Sequence, residues 1–337
     1  MAYTDIDKPS DYFNTVTWTG NGSKITTGLR PDLIWYKARD VSSYGGVVNA
    51  IRGDDYYLQT YSTDAETYYS GLLVSDSTGF TPSSIFTTNS YVAWNWLAGG
   101  TGASNTVGDI NSTVSANTTS GFSIVSFTGN GSAGATVGHG LGVKPATIII
   151  KARSKVGQNW IVWHQTFPNN NDYMELNTTD AKDTYDLFNN TAPTSSLFSL
   201  SSDGNVNSNT DTYIAYCFAE KKGFSKFGSY TGNGSTDGTF VYTGFKPAMV
   251  IIKRTSGADR WVISDNKRDP DNPVIGELNP NDSVAEDTTS TPFDFLSNGF
   301  KIRRIGNVFN GSGETYIYMC FAENPFVTST SIPCTAR

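Results

Sequence analysis

The chain has 337 residues, a formal net charge of −7, 16% charged and 13% aromatic residues, and 33 glycines. An acidic balance without basic runs excludes the electrostatic footprint of a nucleic-acid binder and a polybasic membrane patch, and no stretch approaches the roughly 18 consecutive apolar residues of a transmembrane helix. Low charge with many aromatics and turn-forming residues excludes a disordered chain and favours short strands joined by glycine-rich turns.

The N-terminal MAYTDIDKPSDYF lacks the basic and apolar regions of a signal peptide, so the expectation is synthesis in a cytoplasm without export by the usual route. Then a set of phrases begins that occurs three times. WTGNGS starts at Trp18, FTGNGS at Phe127 and YTGNGS at Tyr230. PDLIWYKAR follows from Pro31, PATIIIKAR from Pro145 and PAMVIIKRT from Pro247. YVAWNWLA from Tyr91, YIAYCFAE from Tyr213 and YIYMCFAE from Tyr316 close the copies. Three phrases in one order at a fixed period mark a tandem array of one structural unit, here of about 100 residues and so domain-sized.

The boundaries expected are repeat one at 1–98, a Gly/Ser/Thr/Asn linker at 99–121, repeat two at 122–222, repeat three at 223–326 and a polar tail at 327–337. The linker reads as extended or flexible, long enough to place repeat one differently from the other two. Repeats two and three have almost nothing between them and are expected to pack closely. Within a repeat, the alternation ending at Trp18, Phe127 and Tyr230 marks a half-buried strand. TGNGS is a turn, because Gly and Asn tolerate positive φ. The runs after Pro31, Pro145 and Pro247 are apolar and β-branched, as is the closing phrase, and suit central strands buried on both faces. No helical period of useful length occurs. The fold class expected is all-β: three tandem β-sandwich modules, jelly-roll or Greek-key-like, of roughly seven to nine strands each.

Candidate chemistry is sparse. Gly138-His-Gly-Leu-Gly142 and the TGNG turns lack the following helix that a phosphate loop needs, and read as tight turns. His139 and His164 do not recur; Ser264 takes the place of His164 in the third copy, and no nucleophile elbow is present. Carboxylates recur in the middle loops, at Asp64 and Glu66, Asp180 and Asp183, and Glu286 and Asp287. They read as solvated loops rather than a glycosidase pair. Asp265, Asp269 and Asp271 resemble a calcium loop loosely but miss the EF-hand spacing. Cys217 and Cys320 occupy equivalent places and read as small buried residues, and Cys334 lies in the tail. No metal or cofactor is expected.

Lys37, Lys151 and Lys253 are shared by all three copies at the same strand end. They either snorkel from a buried strand, the favoured reading, or contact a repeated acidic surface. Trp18, Phe127 and Tyr230 interchange large apolar side chains, as do Trp94, Tyr216 and Met319, and such positions belong to a core. Tyr56, Tyr57, Tyr61, Tyr68 and Tyr69 cluster in repeat one alone and form the candidate partner or glycan surface, since aromatics are enriched at interfaces.

The opening MAYTDIDKPSDYFNT, the TGNGS turns, VGHGLGVKPATIIIK, FGSYTGNGSTDGTFVYTGFKPAMVIIKRT, SNGFKIR and YIYMCFAENPF together resemble tandem-repeat virion structural proteins of marine tailed bacteriophages. The resemblance covers nearly the whole chain. It implies a non-enzymatic phage structural protein made in the host bacterial cytoplasm and carried on the virion surface. With no heptads for a trimeric shaft, the expectation is a decoration or knob-like protein on the capsid exterior that contacts the major capsid protein. The alternative is a tail fibre or tail appendage that contacts tail proteins and binds host-surface polysaccharide. Neither nucleic acid nor membrane insertion is implied.

Overall fold

Strands form where the sequence alternates or runs apolar, and each repeated phrase forms the same strand or turn three times. The computed structural model of the chain describes residues 4–42, 45–290 and 292–334. The first repeat holds β1 (Phe13–Thr19), β2 (Ile25–Thr26), β3 (Leu33–Ala38), β4 (Gly45–Asn49), β5 (Gly53–Leu58), β6 (Thr67–Tyr68), β7 (Leu73–Asp76), β8 (Gly79–Pro82) and β9 (Ser90–Trp96). Next come β10 (Ala103–Asn105), β11 (Ser112–Asn117), β12 (Phe122–Thr128), β13 (Ala135–Gly138), β14 (Thr147–Ala152), β15 (Ile161–His164), β16 (Asp172–Glu175), β17 (Asp183–Thr184), β18 (Leu197–Leu200) and β19 (Thr212–Phe218). The third repeat holds β20 (Ser225–Thr231), β21 (Phe240–Tyr242), β22 (Phe245–Arg254), β23 (Val262–Asp265), β24 (Phe293–Leu296), β25 (Gly299–Ile302) and β26 (Thr315–Pro325).

The fold is all-β. One antiparallel order recurs in the three large sheets: β1-β9-β3-β4, β12-β19-β14-β15 and β20-β26-β22-β23. A smaller sheet covers one face of each, namely β2-β8-β7, β13-β18 and β21-β25-β24. The cores between large and small sheets gather Trp18, Phe80 and Tyr91 in the first repeat, Phe127, Phe198 and Tyr213 in the second, and Tyr230, Phe300 and Tyr316 in the third. Register places Trp18 opposite Tyr91, Phe127 opposite Tyr213 and Tyr230 opposite Tyr316. The rings stack at 5.1, 5.3 and 4.8 Å. Each such pair contributes about 0.5–1.5 kcal/mol beyond its buried area. Cys217 and Cys320 are buried in these cores as free thiols.

TGNGS is the turn expected, and sterics explain its glycines. A Cβ on Gly20, Gly129 or Gly232 would lie 1.5, 2.3 and 2.3 Å from a carbonyl oxygen of Thr87, Ser208 and Gly311. The second glycine, Gly22, Gly131 or Gly234, has φ of +71°, +69° and +68°, a region favourable to glycine. Between them Asn21, Asn130 and Asn233 accept the N–H of Ser23, Ser132 and Ser235 at 2.9, 2.9 and 3.0 Å.

The other face of each large sheet meets its counterparts. Side chains alternate along a strand, so the closing phrase sends Tyr91 and Ala93 to its own small sheet and Val92, Trp94 and Trp96 to a core shared by all three repeats. Trp96, Phe218 and Phe321 hold equivalent positions, and their ring centroids lie 6.0, 5.3 and 5.7 Å apart pairwise. They mark a pseudo-threefold axis. Trp94, Tyr216 and Met319, then Val92, Ile214 and Ile317, continue the same core. The repeats are therefore not independent sandwiches. Repeat one sits in this core on the same footing as the others, because the apolar outer face of its sheet has to be buried too.

Of the two forms expected for segment 99–121, extended or flexible, it takes the extended one, as a strap on the sheet rather than a free linker: β11 pairs with β12 from Ser112 opposite Phe127 to Asn117 opposite Phe122, and β10 pairs with β11. The strap starts where the N–H groups of Ala98 and Gly100 donate to Asp32 Oδ2 at 2.8 and 3.1 Å. An open sheet edge offers unpaired backbone groups, which is enough to order a polar segment that lacks a core of its own. The tail docks where Ser329 N–H donates to Asp7 Oδ1 at 2.6 Å, and its last three positions, 335–337, lie outside the described residues.

Candidate functional site

Lys37, Lys151 and Lys253 close a ring. Each stands near the C-terminal end of a strand of its own large sheet and reaches the middle loop of a neighbouring repeat. Lys37 Nζ donates to the carbonyl of Asp282 in the third repeat at 2.5 Å. Lys151 donates to Thr63 in the first at 3.3 Å, and to Gln158 at 2.7 Å. Lys253 donates to Thr179 and Asp180 in the second at 3.0 and 2.8 Å. First to third, third to second, second to first is a heterologous contact that closes after three steps. Both sequence readings are thus half right: the lysines are buried, and they face acidic loops, but those loops belong to the same chain. Burial lowers all three to about 8, opposed by the charge of Asp282 on Lys37, Asp64 on Lys151, and Asp259 and Asp180 on Lys253.

Two residues on from each lysine, a backbone carbonyl repeats the ring. Arg39 O accepts Glu286 N–H at 2.7 Å, Arg153 O accepts Glu66 N–H at 2.8 Å, and Thr255 O accepts Lys182 N–H at 3.1 Å. In two of the joints a buried ion relay is added. Glu66 links Arg52 of its own repeat, at 2.9 Å, to Arg153 of the next, also at 2.9 Å. Glu286 likewise links Arg268 to Arg39, the latter at 2.8 Å. The carboxyl of Glu66 is pushed up by burial, but Arg153 and Arg52 hold it below the ordinary glutamate value. The recurring carboxylates are therefore not uniformly solvated: Glu66 and Glu286 are structural, whereas Asp64 and Asp183 are exposed.

The other candidates are also accounted for by packing. Register aligns His164 with Asp265, not Ser264, because Thr147 pairs with His164 and Met249 with Asp265. His164 is buried, which drives its imidazole down to about 4 against a raising backbone contact from Tyr318. His139 is lowered by burial and lies 3.3 Å from Thr194 O. Asp265 bonds Arg268 Nε at 2.6 Å, and Asp269 accepts Gly276 N–H at 2.7 Å. Among the described residues no group of three His, Cys, Asp or Glu is placed to hold a metal ion.

The tyrosine cluster divides. Tyr57 and Tyr69 pack against the first repeat's own core. Tyr61 receives Gln59 Nε2 at 2.8 Å and lies under Lys37, 5.9 Å from its ring centre. Only Tyr56 and Tyr68 form a surface. They face each other across β5 and β6 with ring centroids 5.2 Å apart in a T-shaped contact, and are 37% and 58% exposed. Their backbone is fixed from behind, where Asp55 accepts Tyr69 N–H at its carbonyl (2.7 Å) and Gly71 N–H at Oδ1 (2.6 Å). In the second repeat the corresponding pair is Asp172 and Thr184, so the aromatic pair breaks the pseudo-symmetry. Two fixed, half-exposed rings offer an apolar face and phenol hydroxyls side by side, which suits a sugar ring or a protein surface.

Comparison with known proteins finds no match among the curated proteins. A family profile described as a domain of unknown function, DUF7483, matches residues 8–325, and the chain belongs to that family.

Proposed function

We propose that this DUF7483 protein is a non-enzymatic structural protein of a tailed-bacteriophage virion, a knob-like decoration protein on the capsid exterior. The observation that carries the reading is the closed ring of three repeats about Trp96, Phe218 and Phe321. A single chain thereby acquires the shape that fibre knobs otherwise reach by trimerisation, with a pseudo-threefold form suited to a lattice of threefold positions. The resemblance of the repeated phrases to phage virion proteins supports the same reading. So does the use of the shared lysines and of Glu66 and Glu286 to hold repeats together rather than to act on a substrate. The test is a cryo-EM reconstruction of the virion together with a protein inventory of tailless heads. The chain is expected over the capsid lattice in stoichiometric amount; heads that lack it overturn the capsid assignment.

The second reading is a tail appendage that binds host polysaccharide, favoured by the exposed Tyr56–Tyr68 pair. It predicts binding to host polysaccharide that is lost in Tyr56→Ser and Tyr68→Ser, with density at the tail alone.

A further inference from the structure

The pseudo-threefold axis creates three equivalent grooves, each between the first strand of one large sheet and the end of the closing strand of a neighbouring repeat. They are finished in three different ways. At β12 the groove is filled by β11, which pairs along the strand and accepts Gly99 N–H on Ser115 Oγ at 2.8 Å. At β20 it is plugged: Gln165 Nε2 donates to Phe227 O at 2.8 Å, and Lys226 pairs with Glu220 at 2.6 Å. At β1 it is open, a cavity of about 310 Å³ lined by Phe13, Asn14 and Thr15 on one side and Asn266, Lys267 and Glu323 on the other.

Position for position the three match. Thr15, Ile124 and Phe227 pair with Trp94, Tyr216 and Met319. Asn266 N–H bonds Ala248 O as Gln165 N–H bonds Ala146 O, so Asn266 stands where the plugging glutamine stands, one methylene shorter. Gly20 N–H donates to Asn89 O and Leu97 N–H to Tyr12 O. In an antiparallel pair these bonds alternate, which turns the N–H and C=O of Thr15 and Thr17 to the open side. Among the described residues no backbone partner meets them there. Thr15 Oγ1 is buried without a hydrogen-bond partner in the same groove.

We infer that the open edge of β1 is a strand-acceptor site, which takes an extended segment of another polypeptide by β-strand addition as β12 takes β11. The chain itself shows what fits. Its own occupant, Ser112–Asn117, reads STVSAN: uncharged, small on both faces, and extended. The partner is accordingly a terminal arm or loop of a second protein with such a run, and the reading does not depend on where the protein functions.

The probe is a fluorescein-labelled peptide with the sequence of residues 109–119, DINSTVSANTT, titrated with the full chain. Saturable binding is expected, with slowed amide exchange at Thr15 and Thr17. Two variants act in different ways. Asn266→Gln installs the plug found at β20. Thr17→Pro removes an outward N–H at an edge position that proline tolerates. Each is expected to weaken binding by about tenfold or more, the loss of one good backbone hydrogen bond in a buried groove, with unchanged near-UV circular dichroism. Absence of saturable binding, or binding that both variants leave intact, overturns the proposal. Concentration-dependent dimers that protect Thr15 and Thr17 without peptide overturn it in favour of a second copy as occupant.

Discussion

Trp94 of the first repeat donates its indole N–H to Asp265 of the third, at 3.0 Å, across 171 positions of sequence. Asp265 is at the same time bonded by Arg268, whose guanidinium lies 5.7 Å from the Trp94 ring centre. The equivalent joint between the first and second repeats is Asn49 Nδ2 to Tyr216 OH at 2.9 Å, and at the third His164 meets the backbone of Tyr318, next to Met319. Each joint fills one geometric slot with different chemistry: carboxylate and indole, amide and phenol, imidazole and backbone.

A shared core predicts shared unfolding. Trp96→Ala removes one of the three rings on the axis and is expected to cost about 3–5 kcal/mol, the range for a large aromatic lost from a packed core. Because the rings of all three repeats touch there, urea unfolding followed by tryptophan fluorescence and by far-UV circular dichroism should remain one coincident transition. Separate transitions for separate repeats would contradict the common core.

Removing residues 1–98 tests the same point by another route. The remaining two repeats would expose Phe218, Phe321 and their neighbours. The fragment is expected to aggregate or to self-associate on size-exclusion chromatography rather than run as a folded monomer.

Glu66→Gln leaves Arg52 and Arg153 without their shared carboxylate. Arg52 is fully buried at its side chain, and breaking a buried pair by removing one partner costs about 3–5 kcal/mol. At the corresponding joint of the second and third repeats, the carbonyl is that of Thr255 and the N–H that of Lys182, and Thr255 is half-buried and uncharged, with no ion pair to break. Thr255→Val should cost well under half as much in the same chemical denaturation assay.

The pH dependence has two windows. Lys37, Lys151 and Lys253 are lowered by burial from 10.5 to about 8. Between pH 8 and 10.5 the unfolded chain binds protons that the folded chain has released, so their contribution makes stability rise with pH there. Tyr173 and Tyr213, raised by burial from 10.0 to about 12, oppose this above pH 10. In acid, His164 is lowered from 6.5 to about 4, and its contribution is lost as pH falls through that interval. NMR titration of the lysine Nζ signals should give midpoints near 8 for three of them, and His164→Gln should flatten the loss between pH 6.5 and 4. Lysines that all titrate near 10.5 would contradict the buried ring.

The three copies, the all-β class, the TGNGS turns and the strands apolar on both faces are legible in the amino-acid order alone, because these depend on local sterics and on the alternation of side chains. That order marked Trp18, Phe127 and Tyr230, and Trp94, Tyr216 and Met319, as core positions for the same reason. Which core each belonged to was settled by the packing of the repeats, since an apolar face records that it must be covered and not by what. That packing sent Lys37, Lys151 and Lys253 into neighbouring loops, ordered 99–121 as a strap on the edge of β12, and reduced five tyrosines to the exposed pair Tyr56 and Tyr68. It also left β1 open where Gln165 plugs β20. Those outcomes rest on contacts between residues far apart in the chain, where a single methylene or a neighbouring backbone carbonyl settles the partner.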